Sequence, residues 1–227
     1  MGKHMLALPA LVVLLAGSAA GVTAQDEAGA AGLVTEEVEP GVERIVSDAA
    51  GHDLDEKHPT YRYDMDGIAI TRDGTVWLTS TYSRTDNEAN PDGPLVWALG
   101  QPGTYSVEEG IPATSPTFLY AHPDGRLFVI AYDIVSFRDG AFSPDFEWVG
   151  PPSQIEEQQA VLLARPDGGH SCRSTGYGVT CEDPSGEVTR YISSTPINQI
   201  AAAPDGTVWA VGGYDGDNGG LYRITLE

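Results

Sequence analysis

Basic residues are scarce in this chain. It holds 12 Lys+Arg against 33 Asp+Glu over 227 residues, a formal net charge of −21. A nucleic-acid partner needs a basic face to neutralise phosphates, so that class is excluded. Docking on an anionic membrane is excluded on the same ground. A cationic partner, a metal ion or a salty exterior is permitted. Cysteine is nearly absent, with two in all, too few for a cysteine-rich scaffold or a multi-cysteine zinc site. Long apolar runs are missing too. The longest, Leu6–Ala16, has 11 residues and is too short to span a bilayer. There is no Gly-x-Ser-x-Gly elbow, no His-Glu-x-x-His run and no phosphate-binding glycine loop. Disorder is excluded, because 41% apolar and 20% charged residues can build a core.

Glycine and proline are plentiful. Gly 27 and Pro 16 exceed the ordinary share of about 12% and imply many turns between many short strands. The first 24 residues have the form of an export signal: Lys3 and His4, the apolar run, then Val22-Thr23-Ala24 before Gln25. Ser18-Ala19-Ala20 offers a second cleavage site. No cysteine follows the run and no twin arginine precedes it. The expected product is secreted, extracellular or periplasmic, with no membrane span after cleavage. Residues 25–32 are small and polar and form a flexible leader. Residues 33–227 are expected to make one domain.

That domain repeats itself. Four segments join two apolar runs through Asp-Gly: Ile68–Leu78, Leu119–Val129, Leu162–Cys172 and Ile200–Ala210. The Asp-to-Asp spacings are 51, 43 and 38 residues. Such a period with strand-turn-strand units predicts a propeller or a related array. Proline presets φ, aspartate bonds its own backbone two residues on, and glycine accepts the left-handed conformation, so Pro-Asp-Gly is a tight hairpin turn. Third and fourth strands are expected at Leu95–Leu99 and Thr104–Val107, Ile134–Arg138 and Phe142–Trp148, and Val179–Cys181 and Val188–Ile192. The last unit has only Leu221–Leu226 before the chain ends. Val42-Glu43-Arg44-Ile45-Val46 belongs to no unit and can supply its missing strand, removing an exposed edge. The expectation is an all-β fold, a small β-propeller of about four four-stranded blades with the N-terminal strand closing the last. An open half ring that pairs with another chain is the rival architecture.

The units resemble secreted bacterial propeller repeats of the two-component-regulator type and those of streptogramin-lyase-like and gluconolactonase-like proteins. The residues that carry the resemblance are Ile68–Leu78, Leu119–Val129 and Ile200–Ala210, above all Asp-Gly-Thr-Val-Trp at 73–77 and 205–209. The third unit departs from the pattern, with Ser171 in the Trp position. The resemblance covers nearly all of Leu33–Glu227 and implies the propeller fold. It transfers no catalytic residue, because the lyase and lactonase relatives have more blades.

Cys172 and Cys181 flank a segment symmetric about Gly176-Tyr177. Two strands around that turn place them opposite each other, within disulfide reach in an oxidising compartment. The bond would compensate for the missing tryptophan by about 2–3 kcal/mol.

Loops between second and third strands, and connections between units, emerge at one end of a propeller. Here they hold 12 of the 33 acids with several asparagines, while the other end receives mainly short Asp-Gly turns, which makes an acidic loop face the expected binding surface. Asp53, Asp55, Asp86, Glu88 and Asp92 are its expected partner-binding residues. Asp215-Gly216-Asp217-Asn218-Gly219-Gly220 offers alternating oxygen ligands suited to Ca²⁺ or another divalent cation, although Gly219 and the absence of a later Glu depart from the loop pattern. Asp215, Asp217, Asn218 and Asp66 are the metal candidates. His52-Asp53-Leu54-Asp55-Glu56-Lys57-His58 groups two imidazoles with three carboxylates but fits no metal signature, so a solvated polar loop explains it. Trp77, Phe128 and Trp209 share one repeat position and belong to the core. Three functions follow. The first is an exported, non-catalytic binding or sensing module for a protein or small molecule. The second is a metal-dependent lyase or lactonase. The third is an assembly subunit.

Overall fold

The computed structural model describes residues 32–52, 54, 61–84, 95–111, 118–130, 134–144, 163–164, 169–174, 176–212 and 220–226. Nearly all of them lie in strands or tight turns, apart from one 3-10 turn at Val107–Glu109. No described helix is long and apolar enough to cross a membrane.

The chain builds antiparallel units in sequence order, in a propeller-like arrangement. β1 (Val34–Glu39) and β2 (Val42–Ser47) form an N-terminal hairpin. β3 (Tyr61–Ile70), β4 (Val76–Arg84) and β5 (Leu95–Ala98) make the first unit. β6 (Phe118–Ala121), β7 (Leu127–Ile130), β8 (Ile134–Arg138) and β9 (Ala141–Pro144) make the second. β10 (Leu163–Ala164), β11 (Ser171–Ser174), β12 (Tyr177–Glu182) and the first part of β13 (Val188–Ala202) make the third. The rest of β13, β14 (Val208–Gly212) and β15 (Gly220–Ile224) make the fourth. β2 then pairs antiparallel with β15, Ile45 opposite Leu221 and Val42 opposite Ile224, so the N-terminal strand completes the last unit as expected.

Three of the four expected Asp-Gly turns lie among the described residues and form by the expected chemistry; Asp167-Gly168 lies outside them. The Asp73, Asp124 and Asp205 carboxylates each accept the backbone N–H two residues on, at 2.9–3.1 Å, and Asp183, in a turn that was not expected, does the same at 2.8 Å. The glycine after the aspartate sits at positive φ where the Asp-Gly repeats are described: Gly74 at 84°, Gly125 at 94° and Gly206 at 91°. An L side chain there would be strained.

The structure differs from the sequence expectation at four places. The predicted strand at Thr104–Val107 reduces to a single bridge, Tyr105 to Val96, because the chain turns into the 3-10 segment. Tyr61–Asp66, outside every expected strand, is strand, paired with β4 up to Arg84. β1 was not expected and adds a fifth strand outside β2. The third and fourth units share one eight-stranded sheet, because β13 runs through both. Its corner lies at Ile192, whose φ of 44° is unusual for a β-branched residue. The Glu39 carboxylate on β1 accepts the Ile192 N–H at 2.6 Å and holds that corner.

Apolar clusters fill the junctions. Trp77, Val96, Leu119, Val129 and Phe142 join the first unit to the second. Ile45, Trp209 and Leu221 of the last unit pack on Ile68, Leu78 and Trp97 of the first. Trp77, Phe128 and Trp209 are all buried, as their shared repeat position predicts.

The innermost strands are braced by one amide. Gln199 on β13 is 3% exposed. Its Oε1 accepts from the Ile68 N–H of β3 at 3.1 Å and the Leu119 N–H of β6 at 3.3 Å, and its Nε2 donates to the Leu119 carbonyl at 2.8 Å. Beside it the Asn198 Nδ2 donates to the Met65 carbonyl at 2.8 Å. A Cβ at Gly67 would lie 3.0 Å from the Gln199 Oε1 and 2.8 Å from Thr79, so glycine is what lets the strands approach.

Two outcomes follow. Gln199→Leu leaves three buried backbone groups without their partner, which costs about 3 kcal/mol or more and lowers the denaturant midpoint accordingly. Removing residues through Ser47 bares β15 and produces aggregation or a much lower melting temperature, whereas removing residues through Ala31 leaves both hairpin strands in place and changes little. Calorimetry and size-exclusion chromatography on the two truncations check the second.

Candidate functional site

The tight turns of the first two units face each other across a cleft of about 670 Å³. That is within the usual range for small-molecule sites, about 300–1,000 Å³. Thr71–Asp73 and Thr75 come from the β3–β4 turn, Gln101 from the turn after β5, Asp124–Arg126 from the β6–β7 turn, and Arg138 and Asp139 from the β8–β9 turn. Trp77, Leu127 and Phe137 supply its apolar lining. The Trp77 and Phe137 rings lie 4.8 Å apart between centroids, tilted by 56°, and Phe137 continues into Tyr105 and Phe142.

Three of the chain's 12 basic residues meet here. They differ in how far they are engaged. Arg126 pairs with Asp124, Nε to Oδ2 at 2.8 Å and Nη2 to Oδ2 at 2.7 Å, and lies over the Phe128 ring at 4.9 Å. The Arg126 hydrogen bonds are the main cause that holds the Asp124 carboxyl far below the usual carboxylate range, and the His122 Nδ1, 2.8 Å from the other Asp124 oxygen, acts in the same direction. Asp73 is also engaged: its Oδ1 accepts the Thr71 hydroxyl at 2.6 Å and the Thr75 N–H at 3.1 Å. The Thr71 bond is the main reason its pKa is lowered. Arg72 and Arg138 are exposed and make no ion pair among the described residues.

A smaller groove of about 220 Å³ lies at the corresponding junction of the third and fourth units. His170, Asp183 and Glu187 line it, with Tyr191 and Leu226. Of these two grooves the first is the larger and carries the arginines.

The innermost strands border an open hollow of about 170 Å³, lined by Ile68–Ile70, Leu119–Ala121, Ala164 and Gln199–Ala202. Its lining is apolar apart from Gln199 and Tyr120, and the Gln199 side chain is bonded to the strands on either side.

The expected disulfide is present. Cys172 and Cys181 are bonded, directly opposite in the β11–β12 pair with Cα atoms 4.0 Å apart. It sits in the third unit, where Ser171 stands at the tryptophan position.

Of the expected metal and partner residues, Asp53, Asp55, Asp86, Glu88, Asp92, Asp215, Asp217 and Asn218 lie outside the described residues. Asp66 lies in β3, at the bulge between Met65 and Gly67. No group of three or more His, Cys, Asp or Glu that could hold a metal occurs among the described residues.

His52 does have a partner. Its Nδ1 is 2.8 Å from the Asp48 Oδ2, and the Asp48 side chain is fully buried. Asp48 also accepts the N–H groups of Ala50 and His52 at 3.0 Å, and that of Gly100 at 2.7 Å. The carboxylate thus latches the end of β2 to the turn after β5, fastening the last unit to the first beside Gln101. Burial alone would raise the Asp48 pKa, but the His52 and Gly100 hydrogen bonds outweigh it and the net shift is downward.

The cleft arginines were not singled out from the sequence. A signal existed: Arg72-Asp73-Gly74 and Arg138-Asp139-Gly140 repeat one tripeptide, and Asp124-Gly125-Arg126 carries its arginine on the other side of the turn.

No family model matches the chain, and no curated protein matches it. Among solved structures it is similar to a gluconolactonase from Xanthomonas campestris, at 19% identity, covering 82% of this chain and 65% of that one, with a TM-score of 0.32. A catalytically inactive virginiamycin B lyase from Staphylococcus aureus, solved with quinupristin, is 13% identical, with 82% and 60% covered and a TM-score of 0.26. The extracellular domain of a one-component system from B. thetaiotaomicron is 16% identical, with 86% and 26% covered and a TM-score of 0.29. The chain thus spans less than two thirds of each of these three proteins, and the likeness assigns it no activity.

The Asp48 latch has a pH signature. A carboxylate with a depressed folded pKa stabilises above its unfolded value, about 3.9, and loses that stability as pH falls through the folded value. The melting temperature of the wild type should fall as pH drops below about 4, while Asp48→Asn melts lower at pH 7 and responds less to acid. Melting curves from pH 7 to pH 3 on both proteins check this.

Proposed function

We propose that this chain is an exported, non-catalytic binding module of propeller type that seats a small ligand in the turn-end cleft between its first and second units. One observation carries the reading: in a chain with 12 basic residues, three arginines from three separate turns line one cleft over an aromatic floor, and two of them are unpaired among the described residues. Binding residues on loops held by a rigid sheet scaffold are the usual form of such a site. The carboxylates Asp73 and Asp124 are tied to their own turns, so the cleft offers recognition groups without a free, positioned acid–base pair.

The test is a thermal-shift screen of chemically diverse small molecules against the wild type and the Arg72→Gln, Arg138→Gln double variant. The expected result is a class of compounds that raises the wild-type melting temperature by preferential binding to the folded state and loses that effect in the double variant. Hits that stabilise both proteins equally would place the binding surface elsewhere.

A further inference from the structure

We propose that the outer edge of β1 is an addition site for an extended segment of another protein that carries lysine or arginine, received as one further strand of the last unit. β1 ends the eight-stranded sheet and has a strand on one side only, β2. In an antiparallel strand alternate residues turn their N–H and C=O groups to opposite sides, so every second residue of β1 offers its pair to the open side. No described segment beyond β2 exchanges a backbone hydrogen bond with β1. The strand is exposed at all positions but Glu39. Val34 and Val38, 55% and 43% exposed, are two of the four large apolar side chains left exposed among the described residues. Its position is set before any partner arrives: β2 pairs with it along one side, and the Glu39 carboxylate holds its end to the Ile192 N–H at 2.6 Å. A preformed edge of this kind supplies main-chain affinity, and its side chains choose the partner. None of its residues lines the turn-end cleft, so the two surfaces are separate.

The side chains exclude a second copy of this chain. In the full-length two-fold register Glu36 faces Glu37 of the copy, and a slip of one residue either way sets Glu36 or Glu37 against its own counterpart. Like charges directly opposite each other destabilise a pair, and each copy has a net charge of −21. The same side chains ask for a cation. Glu36 has one in Arg44, at 3.1 Å, and Glu43 has one in Arg223, Nε to Oε2 at 2.8 Å. Glu37 stands directly opposite Glu43 and makes no hydrogen bond or ion pair among the described residues. A like-charge pair is thus built into the outermost ladder with one member uncompensated. A lysine or arginine on an added strand, beside Glu37, supplies the missing cation, as Arg223 does for Glu43 from the other side. The valines ask for apolar residues at the alternate positions. The partner is therefore an extended strand that alternates basic and apolar residues, and the glutamates that repel a copy are what attract it.

The experiment uses the whole protein and three end-blocked peptides at physiological ionic strength: Lys-Val-Lys-Val-Lys-Val, Glu-Val-Glu-Val-Glu-Val and Lys-Val-Lys-Pro-Lys-Val. Titration calorimetry gives affinity, and hydrogen–deuterium exchange gives location. The first peptide is expected to bind and to slow exchange within Val34–Glu39, and the glutamate peptide to show no binding. The proline peptide has the charge of the first but cannot complete the ladder, and is expected to bind about tenfold more weakly or not at all. Glu37→Lys should weaken the first peptide about fivefold or more, because an attractive cross-strand pair becomes a repulsive one. Glu108→Lys makes the same charge change on the 3-10 turn of the first unit and should leave the affinity within about twofold. Both glutamates are exposed and their side chains bond to no described residue, so both variants keep the fold. Equal weakening by the two variants, or a proline peptide that binds as well as the first, would reduce the attraction to the general acidic field and overturn the strand site. Protection that appears elsewhere and not in β1 would overturn the location. Protection of β1 that grows with protein concentration in the absence of peptide would give the edge to a second copy. If none of the peptides binds, the proposed partner class falls.

Discussion

The buried amide of Gln199 fixes the phase of the innermost strands, and most of the remaining architecture depends on that phase. Hydrogen-bonded pairing runs within each sheet, not from the first unit to the second. Between the inner edges of β13, β3 and β6 there are three Gln199 hydrogen bonds and the Asn198 bond to the Met65 carbonyl. A polar group this buried is costly unless it is fully satisfied, and a satisfied one specifies a single arrangement where apolar contacts tolerate sliding. Sliding by one residue would reverse the faces of β3 and remove Ile68 and Ile70 from their places. It would also displace the Thr71–Thr75 turn relative to Asp124–Arg126, which is the span of the cleft. The Asp48 latch acts in the same sense at the outer strands, holding the turn that carries Gln101.

The three described Asp-Gly turns show how one backbone solution can serve two ends. The hydrogen bonds within the turns at 71–75, 122–126 and 203–207 are the same, N–H of the first residue to carbonyl of the fifth at 2.8–3.0 Å. With the backbone settled by aspartate and glycine, the neighbouring positions are free to vary at little cost. At the first junction they became Arg72, Arg126 and Arg138; at the junction of the third and fourth units His170, Asp183 and Glu187 occupy the groove instead. Stability and chemistry are thus carried by different residues of the same turn. The third unit, with Ser171 where its siblings bury an aromatic ring, holds its β11–β12 pair with a covalent bond, which lowers the entropy of the unfolded chain instead of adding buried area.

Much of this was readable from the sequence. Strand–Asp-Gly–strand periodicity located β3–β4, β6–β7 and β13–β14, and the leftover segment Val42–Val46 found its place by counting strands. The opposed cysteines were readable because their spacing is symmetric about a Gly-Tyr-Gly turn. Three things were hidden. β1 is polar at four of its six positions and exposed along nearly its whole length, so it carries no core pattern; its role comes from Glu39 reaching Ile192, 153 residues away. The continuity of β13 was hidden because Pro196 and the positive φ of Ile192 look like a break, yet the chain turns the corner without leaving the sheet. The cleft was hidden because its arginines sit in three turns far apart in sequence. Each is an ordinary solvated charge until the strand phase brings the turns together.

Overall charge and local charge pairing act on different scales in this molecule. At long range the −21 charge attracts cations and repels anions, but at physiological salt that field is screened beyond about 8 Å. At the cleft three arginines stand beside three aspartates, Asp73, Asp124 and Asp139, so its lining carries no net charge of either sign. Arg126 is engaged with Asp124, while Arg72 and Arg138 make no ion pair among the described residues. What the cleft presents is therefore directional guanidinium donors in a locally balanced setting, a different property from a positive field, and one that screening by salt reduces less than it reduces the long-range field of the whole molecule.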